Sequence, residues 1–142
     1  MECTIYQAVK NLPMSQKRIR EAVFFVLKTL KKTGMVSIHL VGDKRIQKLN
    51  NFYRGEDRTT DVLAFATTEG KELVKVNNDF GDIFICWPQV KRQAKKYQID
   101  FREEFIRMLV HGLLHLFGYD HIKKKQAVKM FSRQEKLVKK II

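Results

Sequence analysis

The chain has 142 residues, of which 44% are hydrophobic, and its 28 Lys and Arg against 15 Asp and Glu give a formal net charge of +13. This length and apolar content suit one folded domain over residues 1–142, and they exclude a disordered chain, a collagen and a coiled-coil array. The longest uninterrupted apolar stretch, residues 22–27, is much shorter than the roughly 18 residues of a membrane span, and we expect no signal peptide, a cytoplasmic location and reduced Cys3 and Cys86.

The first half of the chain predicts two strands, each followed by a helix. Residues 3–9 alternate loosely and end at a turn, which is typical of a strand. Ser15 is a suitable N-cap for a helix whose apolar residues recur every three or four positions until Gly34. Residues 35–41 then predict a second strand, and Asp43 is expected to cap a short second helix.

The second half begins with two more predicted strands. They cover residues 59–67 and 80–87, and a polar loop over residues 68–78 separates them. Pro88 suits the first turn of a third helix that runs to about Tyr97.

Two further helices complete the predicted elements. One begins near Phe101 and ends at Gly118, and a very basic last helix covers residues 123–140. The apolar stripe of this last helix is expected to consist of Val128, Phe131, Leu137 and Val138. Strands interspersed with helices predict a layered, single-domain α+β or α/β fold, and of the two we expect an α+β fold in which helices pack on a mixed sheet of about four strands.

Three of the four histidines lie close together, in the pattern His111-x3-His115-x2-Gly118-x2-His121. Two histidines four residues apart on a helix project from the same face, where their imidazoles can share one cation. Gly118 can take the left-handed conformation that turns the chain back and brings His121 towards the same point. Three imidazoles with an open coordination position are typical of catalytic zinc, so we expect a zincin-like helix and one Zn²⁺ per chain. His39, alone in the second strand without an obvious partner, is predicted to be structural or exposed.

The same spacing occurs in the metzincin protease signature His-Glu-x2-His-x2-Gly-x2-His, with one difference. Gly112 stands where those proteases have the glutamate that acts as general base, and glycine has no side chain for that role. Peptide hydrolysis by that mechanism is therefore disfavoured. Zinc by itself still lowers the pKa of its bound water to about 7, which leaves other hydrolytic reactions open.

A second group of candidates joins the second helix to the third strand. The planar guanidinium of Arg54 matches two phosphate oxygens, so Arg54 beside a metal could hold a phosphodiester and stabilise its developing charge. Asp61 could orient a ligand imidazole by hydrogen bonding, and Asp120 beside His121 is a second candidate for that role. Arg54 and Asp61 also have simpler interpretations, as a solvated loop arginine and a polar residue at a strand start.

Four segments carry a resemblance to a known family: Leu49-Asn50 with Tyr53-Arg54, Thr60-Asp61-Val62-Leu63 with Phe65, Gly81-Asp82-Ile83, and the stretch from His111 to His121. Over most of its length the chain resembles the YbeY-type endoribonucleases, also described as bacterial rRNA maturation factors. It departs from the family pattern at Thr59, Ala64 and Ala66, where the family usually has proline, serine and proline.

The resemblance implies a single-domain, metal-dependent hydrolase that takes part in ribosomal RNA processing, small-subunit maturation and ribosome quality control. It implies that His111, His115 and His121 bind zinc. It also implies that Arg54 takes part in RNA cleavage and that His111 is catalytic as well as a ligand.

The leading hypothesis is therefore a zinc-dependent endoribonuclease that cuts single-stranded RNA, because an unpaired segment bends into a cleft more easily than an A-form duplex. The charge of +13 favours such a polyanionic partner, although charge also serves solubility. The nucleophile could be zinc-bound water or the ribose 2′-hydroxyl, which would leave a 2′,3′-cyclic phosphate. The alternatives are a ribosome-associated RNA-binding factor with a structural metal and a zincin-type metallopeptidase.

Overall fold

The computed structural model describes residues 1–67 and 78–142, so most of the predicted loop over residues 68–78 lies outside the described residues. The described residues form four strands, β1 (Glu2–Gln7), β2 (Met35–Val41), β3 (Val62–Ala66) and β4 (Asp79–Cys86). They also form five helices, α1 (Gln16–Thr29), α2 (Asp43–Arg54), α3 (Trp87–Lys96), α4 (Phe101–Leu116) and α5 (Lys124–Ile141). The predicted α+β fold class is confirmed. None of the helices in the described ranges is both long and apolar enough to cross a bilayer.

The strands form one mixed sheet in the order β1-β2-β4-β3. β1 and β4 both run parallel to β2, whereas β3 pairs antiparallel with β4 and forms an edge of the sheet. In that last pair Val62 lies opposite Ile85, so the start of β3 meets the end of β4. The segment from α2 into β3, which contains Asp61, therefore joins the sheet at the carboxyl end of its parallel strands, a common place for a ligand cleft.

Helix α4 is the central element of the core. It packs against β3 and β4 on one side and against α1, α3 and α5 on its others, and nine of its 16 residues are buried. Leu109 and Leu113 of α4 are fully buried in the same cluster as Ile83 of β4. Helix α2 covers part of the opposite face of the sheet through a smaller cluster that includes Ile46 and Leu63. A helix enclosed in this way holds its side chains in fixed positions.

The bounds of the strands differ from the prediction, most clearly in β3. This strand begins at Val62 rather than at residue 59. The amide nitrogen of Asn50 donates to the carbonyl oxygen of Arg58 at 3.0 Å, which holds the preceding turn against α2. The bounds of β1 and β4 shift by a residue or two.

The start of α2 also differs from the prediction. Gly42, which has no side chain, occupies the N-cap, and Asp43 is the first helical residue. The Asp43 carboxylate accepts hydrogen bonds from Arg92 of α3 at 2.7 and 3.0 Å and from the Cys86 thiol at 3.4 Å. Asp43 therefore ties α2 to α3 instead of capping a helix. Cys86 and Cys3 are buried free thiols, as expected, and burial raises the pKa of each to about 11.

The buried face of α5 is not the apolar stripe that the sequence predicts. Leu137 and Val138 are buried, but Val128 is 64% exposed and Phe131 is 45% exposed. The buried residues of this helix are Met130, Gln134, Leu137 and Val138. The helix turns a glutamine inward because that side chain has polar partners there, which hydrophobic periodicity alone does not anticipate.

At Gly112, α4 lies in close contact with the sheet. A Cβ atom at this position would lie 2.8 Å from Cγ2 of Ile83 and 3.3 Å from Cγ2 of Val62. The absence of a side chain at Gly112 is therefore a packing requirement, and a glutamate at this position has no room. This supports the interpretation of Gly112 that disfavours metzincin-type peptide hydrolysis.

We expect Gly112→Ala to destabilise the protein by about 1–2 kcal/mol, because the added methyl overpacks the contact with Ile83 by more than the gain in helix propensity. Ile83→Ala alone should cost about 2–5 kcal/mol, since it leaves a cavity. In the Ile83→Ala background the methyl of Gly112→Ala has space, so the second substitution should become neutral or stabilising. Urea unfolding of the four proteins measures this coupling, and an equal cost of Gly112→Ala in both backgrounds would contradict the packing argument.

Candidate metal centre

The structure brings the three predicted histidines together at one end of α4. His111 and His115 lie on the last two turns of this helix, and their Nε2 atoms are 3.1 Å apart. Gly118 has a φ of +89° and reverses the chain after the helix. His121 thereby returns to the other two, and one ring nitrogen from each of the three histidines lies within 4.8 Å of the others.

The donor set and its spacing fit a metal ion. Zn–N bonds of about 2.0–2.1 Å in a tetrahedral site place two ligand nitrogens roughly 3.4 Å apart, close to the observed Nε2 to Nε2 distance. Within the described parts of the chain the group consists of His111, His115 and His121 alone. A metal held there would keep at least one open coordination position, as catalytic sites require. Imidazole nitrogens suit zinc, copper, iron and nickel, so the cluster can bind a metal without specifying which one.

Burial keeps the two helical imidazoles neutral. The pKa of His115 is lowered to about 4, mainly by burial and also by the neighbouring His111 and His121. Burial also lowers the pKa of His111, against the opposing effects of the hydrogen bond that His111 donates to Gln134 and of the charge of Asp61. Because only a neutral imidazole can ligate a metal, both rings are ready to bind near pH 7.

Gln134 of α5, which sequence reasoning missed, determines which ring nitrogen of His111 carries the proton. Its Nε2 donates to the Glu135 carboxylate at 3.0 Å, and a carboxylate only accepts, so the Gln134 carbonyl oxygen faces the histidine. That oxygen lies 2.7 Å from Nδ1 of His111. Nδ1 must therefore carry the proton, which leaves the Nε2 lone pair directed at the metal position. The sequence shows Gln134 only as one of two glutamines on a mostly basic helix, and no local pattern pairs it with His111.

Arg107 of α4 holds the carboxylate on which this arrangement depends. Its guanidinium donates to Glu135 at 2.9 and 3.0 Å, and also to Glu103 and to Glu104, which is only 5% exposed. Gln93 of α3 then donates to Glu104 at 3.3 Å and to Asp61 at 3.2 Å. A continuous series of hydrogen bonds thus joins His111 to Asp61.

Arg54 lies in the same cleft as the histidines. The cleft has a volume of about 360 Å³, and its lining includes Arg54, Asp61, His111, Gly112, His115 and His121. Arg54 is the last residue of α2, which Gly55 ends with a φ of +68°. The Arg54 side chain is exposed and makes no hydrogen bond or ion pair with any described residue. Its donors are therefore free for a ligand.

Asp61 and Asp120 were candidates for orienting a ligand imidazole by a hydrogen bond, but in the structure both accept from other groups. Asp61 accepts hydrogen bonds from the backbone N–H of Val62 at 2.7 Å and from Gln93, so it acts on His111 through its charge and through the series of hydrogen bonds that begins at Gln93. Asp120 accepts from the backbone N–H groups of His121 and Ile122, so it shapes the turn rather than orienting a ring.

His39 stands apart from the metal centre and has partners that the sequence did not show. Its ring stacks between Tyr6 and Phe84, and its Nε2 lies 2.8 Å from the Asp82 carboxylate. The structural role predicted for His39 agrees with these contacts.

The fold and the site define a class of protein: a small α+β protein with a three-histidine centre at the end of its central helix. The sequence profile of the family described as endoribonuclease YbeY matches residues 4–142. The endoribonuclease YbeY of Persephonella marina is 38% identical over 130 residues, which cover 90% of this chain and 84% of that protein. The endoribonuclease YbeY of Brevibacillus brevis is 42% identical over 119 residues, which cover 76% of this chain and 75% of that protein. A Thermotoga maritima protein solved in solution matches 98% of this chain and 88% of its own, with a TM-score of 0.69 and 30% identity. The chain belongs to the endoribonuclease YbeY family, a family of hydrolytic endonucleases, and the predicted membership is confirmed.

We expect Gln134→Met to weaken metal binding by about 10–100-fold, because the ligand imidazole of His111 loses the acceptor that holds its proton on Nδ1. Competition between the protein and a chromophoric chelator for Zn²⁺ measures this affinity. Gln126→Met is the matched control, since Gln126 is exposed on the same helix. Equal affinities for wild type and Gln134→Met would show that Gln134 does not orient the ligand.

We expect Arg107→Met to destabilise the protein by about 3–5 kcal/mol at pH 7, because it leaves the buried Glu104 carboxylate without its charged partner. Arg107 also holds the pKa of Glu135 below its ordinary 4.5, so this contribution is present above pH 4.5 and disappears as the pH falls through the lowered pKa. The difference between wild type and variant should therefore shrink in acid. Urea unfolding from pH 7 to pH 3 tests this, with the exposed Arg18→Met as control, and a pH-independent difference would refute it.

Proposed function

We propose that this protein is a zinc-dependent endoribonuclease, a single domain over residues 1–142, that cleaves single-stranded RNA. We propose further that its substrate is ribosomal RNA, in small-subunit maturation and ribosome quality control. The observation that carries the proposal is one cleft in which an unpaired arginine lines the same space as three clustered imidazoles. A net charge of +13 supports an RNA partner, because each phosphate contact releases counterions.

Different residues would bind the metal and the phosphate. His111, His115 and His121 would hold the zinc ion, with His111 also contributing to catalysis through the orientation that Gln134 gives its ring. When bound, zinc supplies a Lewis acid that polarises a phosphoryl oxygen and stabilises negative charge. Arg54 would bind two oxygens of the scissile phosphate with its planar guanidinium and stabilise the charge that develops there.

The single-strand preference follows from where the reacting groups lie. The histidines and Arg54 meet inside a cleft of about 360 Å³, so the phosphodiester has to enter the cleft to reach them. An unpaired strand can bend to present one phosphate, whereas the backbone of an A-form duplex is held in a regular helix.

The nuclease proposal predicts that loss of the zinc ion and loss of Arg54, the residue that would bind the phosphate, have distinct effects. Untagged wild type should contain about one zinc per chain by elemental analysis and cut a single-stranded RNA. Arg54→Ala should keep its zinc and lose about 100–1000-fold in kcat/KM, as expected for one lost group that stabilises a transition-state charge. His115→Ala should lose both zinc and cleavage. Arg45→Ala removes the same charge from an exposed position on the same helix, and it should behave as wild type.

The outcomes separate this proposal from its alternatives. Zinc without cleavage would support an RNA-binding factor with a structural metal, and absence of metal would overturn the zinc proposal. Analysis of the product ends also identifies the nucleophile. A 2′,3′-cyclic phosphate assigns the attack to the ribose 2′-hydroxyl, whereas a 5′-phosphate together with a 3′-hydroxyl assigns it to water.

A further inference from the structure

Two aromatic side chains at the end of α2 are largely exposed. Phe52 is 80% exposed and Tyr53 is 59% exposed. Their rings contact each other edge to face, with centroids 4.8 Å apart and an interplanar angle of 80°. Exposure of this much apolar ring surface to water is unfavourable and contributes nothing to the core.

Tyr53 is held in place from behind by a row of rings on one face of the sheet. Its ring lies 4.7 Å from that of Phe65 of β3, and Phe65 contacts Phe84 of β4 at 5.7 Å. The row continues through His39 of β2 to Tyr6 of β1, at 4.2 and 4.7 Å. Four strands therefore support a ring whose outer side stays open to solvent.

The exposed pair lies beside the candidate metal centre. Tyr53 directly precedes Arg54, which lines the cleft with the three histidines. On the edge strand β3, Ala64 lines the same cleft and the next residue, Phe65, contacts Tyr53. Since successive side chains of a strand point to opposite faces, the cleft and the aromatic pair lie on the two sides of one edge strand.

We propose that Phe52 and Tyr53 form a stacking platform for an unpaired base of the RNA, next to the nucleotide whose phosphate Arg54 binds. This inference rests on the proposed function and adds a binding subsite to it. Aromatic rings stack on every base with little regard to its identity, which suits a substrate defined by strandedness rather than by sequence. The faces of paired bases are already stacked within a duplex, so the platform favours single strands.

The binding test uses a fluorescein-labelled ten-nucleotide 2′-O-methyl RNA, with a duplex of the same sequence as comparison. Phe52→Leu combined with Tyr53→Leu keeps apolar volume but removes both π faces. We expect this double variant to bind the single strand at least about tenfold more weakly, with duplex affinity and zinc content unchanged. Tyr6→Leu is the matched control, because Tyr6 is 54% exposed at the far end of the same row.

Two further variants separate stacking from a general loss of structure. Tyr53→Phe keeps the ring and should keep wild-type affinity. Phe52→Trp should bind normally, and its added fluorescence should be quenched by the single strand more than by the duplex. On a cleavable RNA the double leucine variant should raise KM and leave kcat within about twofold, because Arg54 and the histidines are untouched.

The platform and the nuclease proposal fail in different ways. Wild-type affinity of the double leucine variant for the single strand, with cleavage intact, would overturn the platform and leave the nuclease proposal standing. An equal loss of single-strand and duplex binding would also overturn it, since stacking on a free base would not be the cause. Wild-type protein that neither binds nor cuts single-stranded RNA would overturn both proposals.

Discussion

The candidate site depends on the close approach of α4 to the sheet at Gly112. Because no Cβ fits between this residue and Ile83, the helix axis lies nearer to β3 and β4 than a larger residue would permit. His111 immediately precedes that contact and His115 follows it by one turn, so their positions relative to β3 are set by packing. Gly112, whose lack of a side chain argues against a metzincin mechanism, thus also helps to place the candidate metal ligands His111 and His115.

A second constraint is electrostatic and runs through the helical layer. Arg107, only 19% exposed, pairs with Glu103 and Glu104 of its own helix and with Glu135 of α5, and two of these carboxylates also accept from a glutamine amide, Glu104 from Gln93 and Glu135 from Gln134. Buried charges are costly unless they are paired in this way. These contacts fix the direction of the hydrogen bond between Gln134 and His111. Because the Glu135 carboxylate can only accept, it takes the Gln134 amide NH₂ group, and only the Gln134 oxygen is left to face His111. The ring nitrogen of His111 that carries the proton is therefore set by Gln134, which Glu135 orients and which Arg107 holds through Glu135.

Much of the fold and the metal cluster could be predicted from the sequence, for reasons that differ by element. The three histidines were predictable because helix periodicity and one glycine place them by local geometry. Arg54 was found by its chemistry, but its place in one cleft with the histidines depends on tertiary packing that local patterns do not show. Gln134 was missed because its partner is 23 positions away on another helix. The stripe assigned to α5 was wrong at Val128 and Phe131 because a satisfied polar side chain took a buried position.

The edge strand β3 connects these constraints to substrate choice. An edge strand has one free side, so a chain passing over it can contact both faces of the sheet. On one face of β3 lie the histidines and Arg54, and on the other lies Tyr53, backed by rings from all four strands. A flexible single-stranded RNA can place a phosphate at the first face of β3 and a base at the second face. The phosphates of a duplex are accessible, but its base faces are stacked inside, so a duplex can contact only the first face. The proposed platform beside the cleft therefore adds a second physical basis to the single-strand preference that we propose from the cleft.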